Sequence, residues 1–159
     1  KRRWLRIERI VLLAAACFML TLTGVSLATL IRHILIGGSE QLGGLELLAS
    51  SVVICVVNTA GFALLFWQVD AGGPLARATG ANPRRDWLFP QAGETEAAPG
   101  WSPGYVDYLY LAFSTATAFS TTDVMPLTPR AKMLMMTEAS IALVTMVVVA
   151  SRAINVLTN

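Results

Sequence analysis

Charge is what this sequence has least of. Only 14% of its 159 residues are Asp, Glu, Lys or Arg, where a soluble domain carries about 25%. Disorder, coiled coil and nucleic-acid binding are excluded at once, because each needs far more charge. Histidine occurs once and cysteine twice. Cys17 and Cys55 both lie in long apolar runs, which excludes a disulfide scaffold. No paired carboxylates stand at a useful spacing and no glycine loop could cradle a phosphate. The chain therefore does not read as an enzyme, and no cofactor is expected. No metal site is expected either: Met133, Met135 and Met136 read as packing residues, with neither cysteine grouped beside them. There is no internal repeat and no low-complexity tract.

What is present is apolar. Hydrophobic residues make up 55% of the chain, and mean hydropathy is +0.60. The stretches Ile10 to Ile31 and Leu47 to Val69 hold no charge, and Met133 to Ser151 holds only Glu138. Crossing a bilayer takes roughly 20 apolar residues. The fold expected is an all-α integral membrane protein with three transmembrane helices. The first run follows a basic start, Lys1-Arg2-Arg3, but it exceeds the apolar core of a signal peptide, about 7–15 residues. The chain opens on Lys1 rather than Met, so segments upstream stay an open expectation.

A fourth run, Tyr108 to Phe119, is bounded by Asp107 and Asp123. Runs of about 10–14 residues are too short to span and read as re-entrant or buried. Ser102-Pro103-Gly104 supplies a helix start, and Ser120-Thr121-Thr122-Asp123 disfavours further helix. The organisation expected is a basic segment and first helix over 1–46, then a unit over 47–159. That unit comprises a helix at 47–69, a loop at 70–103, a short helix at 104–119 dipping into the membrane, a polar turn at 120–128 and a helix at 130–157. The loop is rich in turn signals, and its Trp87, Phe89 and Trp101 read as anchors at the headgroup level in preference to ligand contacts.

The stretch Leu111 to Thr128 resembles the pore loop of tetrameric potassium channels, whose pattern is T-x-T-T-V-G-Y-G-D-x-x-P-x-T. Thr115 and Thr117 match the threonines of the pore helix, Asp123 the aspartate after the filter, and Pro126 and Thr128 the residues leading into the inner helix. The resemblance covers Leu47 to about Leu157. It implies an outer helix, a pore helix, a filter, an inner helix and a homo-oligomer, a tetramer first. The departure lies at Ala118, Phe119, Ser120, Thr121 and Thr122, where the family has T-V-G-Y-G. Both glycines are absent, and a β-branched residue such as Thr122 resists the left-handed backbone that glycine takes freely. Potassium selectivity is therefore not carried over. The ion pathway expected runs through Thr117, Ala118, Phe119, Ser120, Thr121, Thr122 and Asp123. Hydroxyl and carboxylate rings there would favour monovalent cations weakly, and Phe119 could close the path by dewetting. The bland alternative is a vestigial loop packed as a plug.

The chain is also similar to a family of bacterial inner-membrane proteins without an established activity. Phe89-Pro90, Asp107-Tyr108-Leu109-Tyr110 and Thr122-Asp123 carry that likeness. It implies a multi-pass protein of the bacterial cytoplasmic membrane, with two further helices upstream in its members.

Glu138, Thr145 and Arg152 stand at heptad spacing and share a helix face. Two readings stay open: a pore-facing stripe, or hydrogen bonding to another helix. Asn58, beside Thr59, Ala60 and Gly61, reads as a close helix contact, and His33 as an interfacial side chain. Basic residues cluster before the first run, in the long loop, and at Arg130 and Lys132. The positive-inside rule then puts the N-terminus and the loop in the cytoplasm, whereas potassium channels admit the pore loop from outside. The partners expected are the lipid bilayer, monovalent ions and further copies of the chain, with no nucleic acid. Besides a weakly cation-selective channel, two readings remain: a non-conducting sensor or accessory subunit, and a small transporter with its site at Phe119–Asp123.

Overall fold

A computed structural model describes residues 2–36, 44–80, 84–92, 100–117 and 123–157. The chain is mostly helical. Its helices are α1 (Arg2–Ile36), α2 (Gly44–Val69), α3 (Pro74–Thr79), α4 (Tyr105–Thr117) and α5 (Pro129–Leu157). Two short strands, β1 (Trp87–Leu88) and β2 (Met125–Pro126), pair antiparallel, with Trp87 opposite Pro126 and Leu88 opposite Met125. Three stretches are long and apolar enough to cross a membrane: Arg9–Thr29, Ala49–Thr79 and Pro129–Ala150. This is a multi-pass membrane architecture by length and composition.

Helix α2 is the centre of the bundle. Within its apolar stretch 44% of residues are buried, against 11% for α1 and 17% for α5. The other helices pack around it. Gly61 is why α1 comes close: a Cβ there would stand 3.3 Å from Leu20 Cδ2 and 3.4 Å from Met19 Cβ. Small residues let helix backbones approach in this way.

Helix α2 stops at Val69 because the next residues turn left-handed. Ala71, Gly72 and Gly73 have φ of 50°, 84° and 101°. At Gly73 a side chain is barred twice over, by that φ and by the Gln68 carbonyl oxygen 3.1 Å from its would-be Cβ. Pro74 then opens α3 at a position that needs no N–H. Helix α4 begins after Gly104, whose N–H donates to Asp107 Oδ2 at 2.7 Å. That is the reciprocal half of a capping box. Helix α5 begins after Thr128, whose hydroxyl accepts the Ala131 N–H at 3.3 Å, with Pro129 in the first helical position.

The core lies between α2, α4 and the loop. Phe62, Phe66, Trp87, Phe89, Tyr108 and Leu111 are all buried there. Phe66 and Trp87 have ring centroids 4.9 Å apart, and Phe89 meets Tyr108 edge-on at 5.2 Å and 78°. Trp87 and Phe89 are therefore core residues and not the headgroup anchors that composition suggests. Trp101 remains half-buried against Phe89. The reason is local. The β1–β2 pairing folds the loop back over the top of α2, and it carries both rings inward.

The α1–α2 contact gives a direct expectation. Gly61→Val should lower the thermal unfolding midpoint in mild detergent, because its side chain must displace Leu20 and Met19. Gly24→Ala, with nothing within 4 Å of its would-be Cβ and a better helix former in its place, should not lower it.

Candidate functional site

The polar residues of this chain gather at one end of the bundle. Asp70 and Asp86 are both fully buried. Asp70 Oδ2 accepts the Tyr108 hydroxyl at 2.5 Å, and its Oδ1 accepts the backbone N–H of Asp86 at 2.7 Å and of Trp87 at 3.4 Å. Asp86 receives Arg130 in a two-pronged pair, Nε on Oδ1 and Nη2 on Oδ2, each at 2.5 Å. The Thr128 hydroxyl donates to Asp86 Oδ1 at 2.6 Å, and the Ala71 N–H to Oδ2 at 3.2 Å. Arg77 donates to the carbonyls of Trp67 and Asp70, both at 2.8 Å, and lies 5.1 Å over the Tyr108 ring.

Burial alone would push the Asp86 carboxyl up. The Arg130 and Thr128 side chains and the Ala71 N–H outweigh that and hold it below the usual carboxylate range. Asp86 is thus ionised at neutral pH and satisfied on both oxygens.

This knot fixes directions. Arg9 of α1 sits beside Gly73, its guanidinium carbon 3.8 Å from the would-be Cβ there. So α1 starts, α2 ends, α4 starts and α5 starts at the same end. Helix α4 leaves that end between α2 and α5, and the chain comes back to it by Met125 and Thr128. Helix α4 has 13 residues, far short of a membrane span. Its last carbonyls lack intrahelical partners and carry the negative end of the helix dipole.

The residues singled out from sequence divide into groups. Thr117 is the last residue of α4, half-buried, its hydroxyl donating to the Phe113 carbonyl at 2.8 Å. Ala118, Phe119, Ser120, Thr121 and Thr122 lie outside the described residues. Asp123 is exposed. It does not cap α5; Thr128 does. Glu138 and Thr145 are both buried within the single chain, at 0% and 1% exposure. Thr145 donates to its own helix, at the Ile141 carbonyl. Neither Glu138 oxygen has a partner among the described residues, and Arg130, two turns earlier on the same helix, is held by Asp86. The Arg152 side chain lies outside the described residues.

Asn58 is buried too, with both amide atoms unpartnered among the described residues. It lies at the floor of an open groove of about 670 Å³ between α2, α4 and α5, lined also by the exposed Tyr110 and Phe113 and by Thr117 and Thr145. Along their helices Thr117 stands nine residues from Tyr108, Asn58 twelve from Asp70 and Glu138 eight from Arg130, roughly 12–18 Å at about 1.5 Å per residue. Asn58 and Thr117 meet at that one groove, whereas Gln68 Oε1 and Arg85 Nη1, also without a partner among the described residues, lie beside the knot.

Sequence reasoning missed Asp70, Asp86, Tyr108 and Arg77 as a unit. The one available signal was a pair of acids flanking a loop that also holds buried-type aromatics. No protein family, curated protein or solved structure matches the chain.

The knot gives a signed pH expectation. Asp86 is held low in the folded state, so its contribution is complete above the unfolded value of about 3.9 and fades as pH falls through the folded one. Thermal stability should be insensitive to Asp86 from about pH 8 to 5 and decline below about pH 4. Asp86→Asn should be less stable at neutral pH by about 2 kcal/mol, a buried-pair cost reduced because Arg130 is 56% exposed. It should also lose that part of the acid decline. Unfolding midpoints of both proteins across pH measure this.

Proposed function

We propose that this chain forms an oligomeric, potassium-channel-like pore in a bacterial cytoplasmic membrane, passing monovalent cations with poor selectivity. The observation that carries the reading is the path of the chain from Tyr105 to Thr128. It leaves one end of the bundle on a helix too short to span and returns to that same end beside β1. A backbone that turns at membrane depth needs protein or water around it. A closed ring of chains supplies both, with one turn per chain around the axis.

The electrostatics of the turn favour cations. The negative end of the α4 dipole lies at Thr117, where the segment begins, and Asp123, at its far end, is exposed. The filter is the segment Thr117 to Asp123, acting through hydroxyl and carboxylate side chains in place of a glycine-borne carbonyl stack. Orientation follows the charges. The basic residues near the starts of α1 and α5 and in the α2–α4 loop lie at the end that α4 leaves from, so the loop enters from the cytoplasm.

A second reading, a non-conducting sensor or accessory subunit, is favoured by one observation. Glu138 and Thr145 lie inside one chain, and the face α5 leaves open is mainly apolar, with Met133, Met136, Leu143, Met146 and Val147 exposed, while the exposed Thr137 and Ser140 hydroxyls donate to carbonyls of their own helix. A pore shared between copies would draw little polar lining from that face.

Native mass in mild detergent decides first. A tetramer is expected; a monomer stable across detergents overturns the pore reading. In reconstituted bilayers, Asp123→Asn should move the reversal potential under a salt gradient toward the chloride value. An unchanged reversal potential removes Asp123 from the pathway.

A further inference from the structure

The knot leaves its end of the bundle with surplus positive charge. Arg9, Arg77, Arg85, Arg130 and Lys132 are among the described basic side chains there. The described acids there are Asp70, Asp86 and Asp107, and all are engaged. Asp86 holds Arg130, Asp70 holds Tyr108 and two backbone N–H groups, and Asp107 holds Gly104. Arg77 and Arg85 are close enough to repel one another, and both act on Tyr108. Arg85 keeps Nη1 buried with no acceptor. Arg9 lies against the notch at Gly73, beside the unpartnered Gln68 Oε1. Among the described residues, Arg9 and Arg85 are left without a carboxylate to match, and guanidinium groups so placed call for an anion with several oxygens, the chemistry of a phosphate.

The surroundings say which phosphate. This surface is the end of three stretches long enough to span a membrane. Exposed apolar side chains flank the arginines: Leu75, Leu88, Met125 and Leu127. Half-buried Trp67 and Trp101 lie at the same end. Basic and apolar side chains side by side suit a headgroup layer and do not suit bulk water. We propose that this end of the bundle is a binding surface for the phosphate groups of anionic phospholipids, with Arg9 and Arg85 as its principal contacts. The proposal needs only a membrane-embedded chain and holds whether or not the turn conducts.

The test is native mass spectrometry of the full chain from mild detergent, given phosphatidylglycerol and phosphatidylcholine in equal amounts. Retained phosphatidylglycerol should exceed phosphatidylcholine, and the excess should fall with added salt. Arg9→Gln combined with Arg85→Gln should cut the preference, by about fivefold for each arginine removed. The unfolding midpoint of that variant in neutral detergent should match the parent, because neither arginine bonds within the knot. As a second, single variant, Arg85→Gln alone keeps the test open where the double variant fails to fold. Equal retention of the two lipids overturns the proposal. Displacement of the lipid by inorganic phosphate at equal concentration also overturns it, in favour of a soluble phosphate site.

Discussion

Two buried carboxylates govern this architecture. A charge taken out of water is tolerated only when it is paired and fully hydrogen-bonded. Asp86 meets that condition, and Asp70 has a donor on each oxygen, only if α2, the loop, α4 and the start of α5 converge. The Tyr108 hydroxyl must reach Asp70, and Arg130 and Thr128 must reach Asp86. Loss of Arg130 leaves the Asp86 charge unpaired in the core. The knot therefore acts as a set of simultaneous requirements on four segments, and it is stiffer than any of its bonds taken singly.

That stiffness explains how a short helix is held where it is. Helix α4 is anchored at its first turns, through Tyr108 and the Gly104–Asp107 cap. The chain is fixed again at β2 and Thr128. Both the start of α4 and the approach to α5 are therefore tied to the knot. The outer face of α4, with Val106, Tyr110 and Phe113 exposed, is left apolar along the helix. In a channel such a face is covered by a neighbouring copy; in a lone chain it is covered by lipid.

Much of this was legible in the sequence. The three spans follow from uncharged runs, and the short fourth helix from a run too brief to cross. The knot was not legible, because its partners lie far apart along the chain: Asp70 and Tyr108 are separated by 38 positions, Asp86 and Arg130 by 44. Periodicity carries no information about such pairs. Trp87 and Phe89 were misjudged for a related reason. An aromatic residue in a loop reads alike whether it meets lipid headgroups or a protein core, and only the β1–β2 pairing decides. Glu138 shows the opposite failure. The heptad spacing puts it on one face with Thr145, and both are buried, but spacing cannot say whether that face meets a pore or another helix of the same chain.

The same accounting of polar groups gives a different result deeper in the bundle. At the knot every carboxylate oxygen has a donor. Further along their helices, roughly 12–18 Å from it at about 1.5 Å per residue, Glu138 and Asn58 have none among the described residues. Buried polar groups are nearly always satisfied. Gln68 Oε1 and Arg85 Nη1, beside the knot, are without a partner among the described residues as well, so full pairing belongs to the two aspartates and not to that end of the bundle as a whole. The carboxyl groups of Asp70 and Asp86 are closed by donors drawn from several segments of the chain, whereas Asn58 and Glu138 each lie on one helix to which no neighbouring segment brings a partner among the described residues.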